Sequence, residues 1–164
     1  GDNEAKAWFA ESTNPDNVKG GIDEAMRGAD LFLGLSAPGV ISVDHVKSMN
    51  VDPIIFAMAN PDPEIWPEEV EGIAKIMATG RSDYPNQVNN ALCFPGLFRG
   101  VLDAHSKEIN DAMKLAAARA IADGVSPRHL NNDYIMPSIF DKSVVRKVAT
   151  EVAKAAKESG AART

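Results

Sequence analysis

The sequence predicts an α/β fold: a parallel sheet with helices packed over it, followed by a carboxyl-terminal part made of helices alone. Three observations predict it. First, three short apolar runs recur along the first half, ADLFLGL (29–35), PIIFAMA (53–59) and IAKIMA (73–78), with helical segments between them. Runs that are apolar throughout, rather than alternating, fit strands covered on both faces, and strands separated by helices pair in parallel. Second, after residue 90 the texture changes to helix alone. Third, 164 residues at 45% hydrophobic and 24% charged suffice to bury one real core.

The elements follow in order. Residues 4–12 read as a helix with Ala7, Trp8 and Phe9 on its apolar side. A short helix at 21–28 turns Ile22, Ala25 and Met26 inward. The first apolar run ends in Ser-Ala-Pro-Gly, and Ser42 is placed to cap a helix reaching Met49. Pro67 at a first helical position, with Glu68 and Glu69 behind it, starts another helix before the third run. In the second half, residues 108–123 form an Ala-rich helix stopped by Gly124, and Ser126-Pro127 caps a short turn. Residues 131–140 are a Pro-containing loop. Asp141 caps a long closing helix with Val145, Val148, Val152 and Ala156 on its apolar face and Gly160 past its end. There is no internal repeat and no low-complexity linker, so one compact unit is expected.

Composition excludes several functions. A formal net charge of −6 without a basic stripe argues against nucleic acid or an anionic membrane as main partner. The single cysteine, Cys93, cannot form an internal disulfide or a Cys-rich metal site, which points to a reducing cytoplasm. No apolar run has the length of a membrane span, and no stretch of these residues reads as a signal peptide, so none is expected. The chain opens Gly1-Asp2-Asn3, which fits a processed or truncated product as well as a natural start.

Ligands of open parallel sheets sit beyond the carboxyl ends of the strands, and the unusual residues of this chain stand there. GLSAPG (34–39) follows the first run, NPDPE (60–64) the second and TGRSDYPNQVNN (79–90) the third. Each has a plain structural reading. Ser36 can cap the next helix, and Asn60 before Pro can start a turn. Asn89 and Asn90 resist it, because one Asn suffices to cap the helix that begins there, and Gln87 is a third amide. Leaving such a group buried and unbonded costs about 1–3 kcal/mol.

Other chemistries are weaker. Gly34-Leu35-Ser36-Ala37-Pro38 is one residue short of a Gly-x-Ser-x-Gly elbow, and no acid or histidine completes a triad with Ser36. His105 and Glu108 could share a helix face, but such a pair is usually solvated surface. His45 and His129 read as isolated and exposed, Cys93 as a small buried hydrophobe, and the methionines as core.

ADLFLGLSAPG, PIIFAMANPDPEI, ATGRSDYPNQVNNALCFPGLFRG and the closing IMPSIFDKSVVRKVATEVAKAAKESGAAR together resemble the carboxyl-terminal part of bacterial malic enzymes, over nearly the whole chain. The resemblance implies the later half of a doubly wound, Rossmann-like dinucleotide-binding domain (1–105), with a carboxyl-terminal helical segment (106–164) packed on it. It implies oxidative decarboxylation of malate to pyruvate and CO2 with NAD or NADP and Mg2+ or Mn2+. Asn60, Asn89 and Asn90 then match malate-binding positions, with Asn60 also on the nicotinamide side, while Gly34, Ser36 and Gly39 match the cofactor-lining turn.

The family's catalytic Tyr and Lys, its acidic metal ligands and its Gly-x-Gly-x-x-Gly turn are expected upstream, since this sequence contains no match to them. The expectation is therefore a fragment, inactive alone, belonging to a homo-oligomeric cytoplasmic enzyme. A catalytically silent NAD(P)-binding or assembly module is the alternative, and a serine hydrolase using Ser36 a remote one.

Overall fold

The computed structural model describes residues 3–163. Gly1, Asp2 and Thr164, at the ends of the two expected segments, lie outside the described residues. Each apolar run supplies one strand: β1 (Leu31–Gly34), β2 (Ile54–Ala57) and β3 (Ile76–Thr79). They lie in the order β1-β2-β3 and both pairs are parallel, as the sequence predicts. Leu33 stands opposite Phe56, and Phe56 opposite Ala78.

The pleat sends Phe32, Ile55, Ala57 and Met77 to one face, where they meet Met26, Ile41, Val46, Ile65 and Val70. Ile55 and Ala57 are fully buried there. Burying one such isoleucine stabilises the fold by about 1.5–3 kcal/mol. The opposite face is covered less evenly. Ala78 is buried, but Leu31 and Leu33 remain 50% and 56% exposed. Coverage on that face thus falls away toward β1.

The helices are α1 (Glu4–Ser12), α2 (Ile22–Met26), α3 (Val43–Lys47), α4 (Phe94–Asp103), α5 (Asp111–Ala122) and α6 (Lys142–Glu158). Helix α1 buries no residue, and its Trp8 and Phe9 face solvent. Ser42 caps α3 as expected, accepting from the His45 N–H. His45 is not the isolated surface histidine the sequence suggested. Its Nδ1 accepts from the Ser42 N–H at 2.9 Å and its Nε2 meets Asp23 of α2 at 2.6 Å, which ties the two short helices together.

Pro67 starts only a single 3-10 turn, Pro67–Glu69. Val70 goes straight into the core, and the chain then leaves the helical path through a separate turn, in which the Ile73 and Ala74 N–H groups both donate to the Val70 carbonyl at 3.0 Å and Gly72 takes φ +74°. Helix α5 begins at Asp111 instead of 108 because Asn110 caps it, accepting from the Met113 N–H at 3.1 Å. His105 and Glu108 both precede that helix and share no helix face.

A second core joins α4, α5 and α6 through Leu97, Met113, Ala117, Val148 and Val152. On α6 the buried row is Val144, Val148, Val152 and Ala156; Val145 is only half-buried. Helices α4 and α6 touch through glycine. A Cβ on Gly96 would lie 2.7 Å from the Val145 carbonyl oxygen, and one on Gly100 2.5 Å from that of Ala149. Helix α4, although it precedes residue 106, is thus seated on the closing helix.

Candidate functional site

Because all three strands run the same way, the loops that follow them emerge at one edge. They enclose a crevice of about 840 Å³, whose wall takes Leu35 from the first loop, Ala59 and Asn60 from the second, and Arg81, Asn89 and Asn90 from the third. The edge anticipated from sequence is therefore a real concavity, in the position where α/β sheets receive ligands.

The expected site residues divide into two groups. Asn60, Asn89 and Asn90 lie on the crevice wall. Gly34, Ser36 and Gly39 do not. Gly34 is buried, and a Cβ there would come within 2.4 Å of the Glu64 carboxyl carbon, so its smallness answers a packing need. Ser36 is exposed, and its backbone N–H donates to Glu64 Oε1 at 3.0 Å. Among the described residues the Ser36 hydroxyl bonds no histidine or carboxylate. Gly39 is exposed at φ +66°, with open space where a side chain would be.

The amides of the third loop have distinct roles. Asn86 is buried and structural: its Nδ2 donates to the Met77 and Asn132 carbonyls at 3.1 and 2.8 Å, and its Oδ1 accepts from the Ile135 N–H at 2.8 Å. It clips the 131–135 loop to β3. Asn89 caps the 3-10 turn Asn90–Leu92 by accepting from the Ala91 N–H at 2.9 Å. Asn90 is exposed, and its side chain makes no hydrogen bond among the described residues, as is true of Asn60. Two adjacent asparagines thus split into one cap and one uncommitted donor–acceptor.

Arg81 supplies the cation of this wall. Its Nε and Nη2 donate to Asp83 at 2.9 and 2.7 Å, and its guanidinium lies 5.2 Å from the centre of the Trp66 ring. That paired hydrogen bond pushes Arg81 up and holds the Asp83 carboxyl below the usual carboxylate range. Beside it Tyr84 donates to Glu68 at 2.9 Å, which raises the phenol. Cys93 is half-buried and desolvation raises its thiol, so it is not activated as a nucleophile. With Arg81 ion-paired to Asp83, the crevice side chains that keep free polar groups among the described residues include Asn60, Asn90 and Ser82, all of them neutral.

Sequence reasoning had not singled out Arg81, Asp83, Asn86 or Glu64 individually. For Asn86 and Glu64 no local pattern exists, since their partners lie in other segments. The Arg81-Asp83 spacing was visible, but not which way the pair faces.

A primary amide donates and accepts at once without titrating, which suits a carboxylate or a carboxamide. Among the described residues no group of three or more His, Cys, Asp or Glu could hold a metal ion. A parallel sheet with an amide-bearing crevice beyond its strand ends puts the chain in the class of α/β domains that receive ligands at that edge. Comparison with known proteins makes the class specific. Residues 10–157 match the family described as malic enzyme, NAD binding domain, and the chain belongs to that family. It is 57% identical over 155 residues to the NAD-dependent malic enzyme of Geobacillus stearothermophilus, covering 94% of this chain and 32% of that protein. It is 48% identical to the NADP-dependent malic enzyme of Escherichia coli, with 97% and 23% covered. The crystal structure of malic enzyme from Pyrococcus horikoshii superposes with a TM-score of 0.90 at 46% identity, over 96% of this chain and 36% of that one.

Proposed function

We propose that this chain forms the later part of the NAD(P)-binding domain of an enzyme that oxidatively decarboxylates malate to pyruvate and CO2. The crevice carries the proposal: it combines a family match with two wall amides, Asn60 and Asn90, that the protein itself leaves unused. In this reading Asn90 holds a malate carboxylate, Asn60 sits between substrate and nicotinamide, and Asn89 keeps the third loop in shape. A dinucleotide held beside Asn60 would supply the hydride acceptor. Gly34, Ser36 and Gly39 act from behind the wall, setting the course of the first loop past the cofactor.

Among the described residues no group of three or more His, Cys, Asp or Glu is placed to hold Mg2+ or Mn2+. The segments 1–105 and 106–164 serve as cofactor-binding part and helical buttress. Relatives that use NAD and relatives that use NADP are both about half identical to this chain, so either cofactor fits the reading. No helix among the described residues is long and apolar enough to cross a membrane, and the only cysteine is a free thiol. Independently of these two observations, the reading makes the parent enzyme a cytoplasmic homo-oligomer.

The test is a chimera in which this chain replaces its 57% identical counterpart in the G. stearothermophilus relative. A folded chimera should form pyruvate and reduced dinucleotide in equal amounts from malate. A folded chimera that binds neither dinucleotide would overturn the proposal.

A further inference from the structure

Glu64 is the one acidic side chain in the buried interior of the described residues, fully shielded from solvent, and it forms no ion pair among them. Enclosing a carboxylate in this way is costly unless its oxygens are satisfied. Both are, and by two different crevice loops. Oε1 accepts from the Ser36 N–H at 3.0 Å in the loop after β1, and Oε2 from the Ala59 N–H at 3.0 Å in the loop after β2. The backbone around it adds two further ties, from the Gly39 N–H to the Pro63 carbonyl at 3.3 Å and from the Ile41 N–H to the Glu64 carbonyl at 3.4 Å.

Gly34 completes the arrangement. Its missing side chain leaves room for the carboxyl group, which a Cβ would approach to 2.4 Å. The groups so joined are next to the wall: Leu35 precedes Ser36, and Asn60 follows Ala59.

We infer that Glu64 is a positioning residue, a carboxylate clamp that sets the separation of the first two crevice loops and so the placement of Asn60. No hydrocarbon could do this, because two inward-pointing N–H groups from separate loops need two acceptors on one rigid plane. Its use to the enzyme rests on the dinucleotide and malate reading of the crevice; its mechanical role does not.

Amide hydrogen exchange on the 15N-labelled chain tests the clamp, with E64Q and G34A as variants. E64Q keeps the shape and replaces one acceptor by a donor. G34A retains the acid but pushes its carboxyl group out of position. In E64Q the Ser36 or Ala59 amide should exchange about ten- to a hundredfold faster. G34A should accelerate both, while amides of α5 and α6 keep their rates. Unchanged exchange at Ser36 and Ala59 in both variants, or equal acceleration across the sheet and the helices, would overturn the clamp. Titration of the same samples with NAD+ and NADP+ separates the two ideas. Resonances of Asn60 and Asn90 that respond equally in wild type and E64Q would remove Glu64 from cofactor placement while leaving the crevice reading intact.

Discussion

Asn89 and Asn90 are neighbours in sequence with different structural commitments. The first spends its oxygen on the Ala91 N–H and the second keeps both ends of its amide free. Substituting Asn89 with Ala should therefore cost stability, about 1 kcal/mol and some 2–4 °C in melting temperature, measured by thermal unfolding of the chain. Sequence could show that the pair exceeded the need for one cap, but not which member was spared. That depends on where the 3-10 turn starts, a matter of one residue. Asp141 gives a pH prediction at the same scale. The hydrogen bonds from Ser143 hold its carboxyl below the usual range. A depressed carboxyl contributes its stability above the unfolded value, about 3.9, and loses it as pH falls through the lower folded value. The melting-temperature gap between wild type and D141A should hold from neutral pH to about pH 5 and narrow steadily in stronger acid.

Elements were legible where one local signal decided them. The three strands, the Ser42 and Asp141 caps and the closing helix all lie where apolar run, cap residue and Gly stop agree. The exceptions were set by tertiary packing. The helix at Pro67 shrinks to one turn because Val70 is drawn into the sheet's core, and α5 starts late because Asn110 outcompetes the residues before it. The α4–α6 contact was invisible, since nothing local says that Gly96 and Gly100 face another helix. In an exposed helix, replacing Gly with Ala gains about 1 kcal/mol. Here the new methyl meets backbone carbonyls at 2.7 and 2.5 Å, which cannot turn aside, so overpacking wins. G96A and G100A should each destabilise the chain by about 1–3 kcal/mol in denaturant unfolding, while leaving the Ser36 and Ala59 amides protected.

On the scale of the whole molecule, the chain divides its burial between two cores and leaves apolar surface in separate places, at Trp8 and Phe9, at Leu31 and Leu33, and at Phe94 and Phe98. It spans 32% of the length of the Geobacillus relative, and the described residues offer no ligand cluster for a divalent ion. The isolated chain should accordingly show no malate-dependent reduction of NAD or NADP in a spectrophotometric assay with Mg2+ or Mn2+. The account as a whole depends on the uncommitted amide of Asn90 being a substrate contact. Steady-state kinetics of N90A in the folded chimera, with N89A beside it and a melting curve for each, measures that directly. Losing one hydrogen bond to a charged group is worth about 1.5–3 kcal/mol, so N90A should lower kcat/KM for malate about ten- to a hundredfold with little change in melting temperature. N90A with unchanged malate kinetics and a lowered melting temperature would make Asn90 a structural residue and contradict the account.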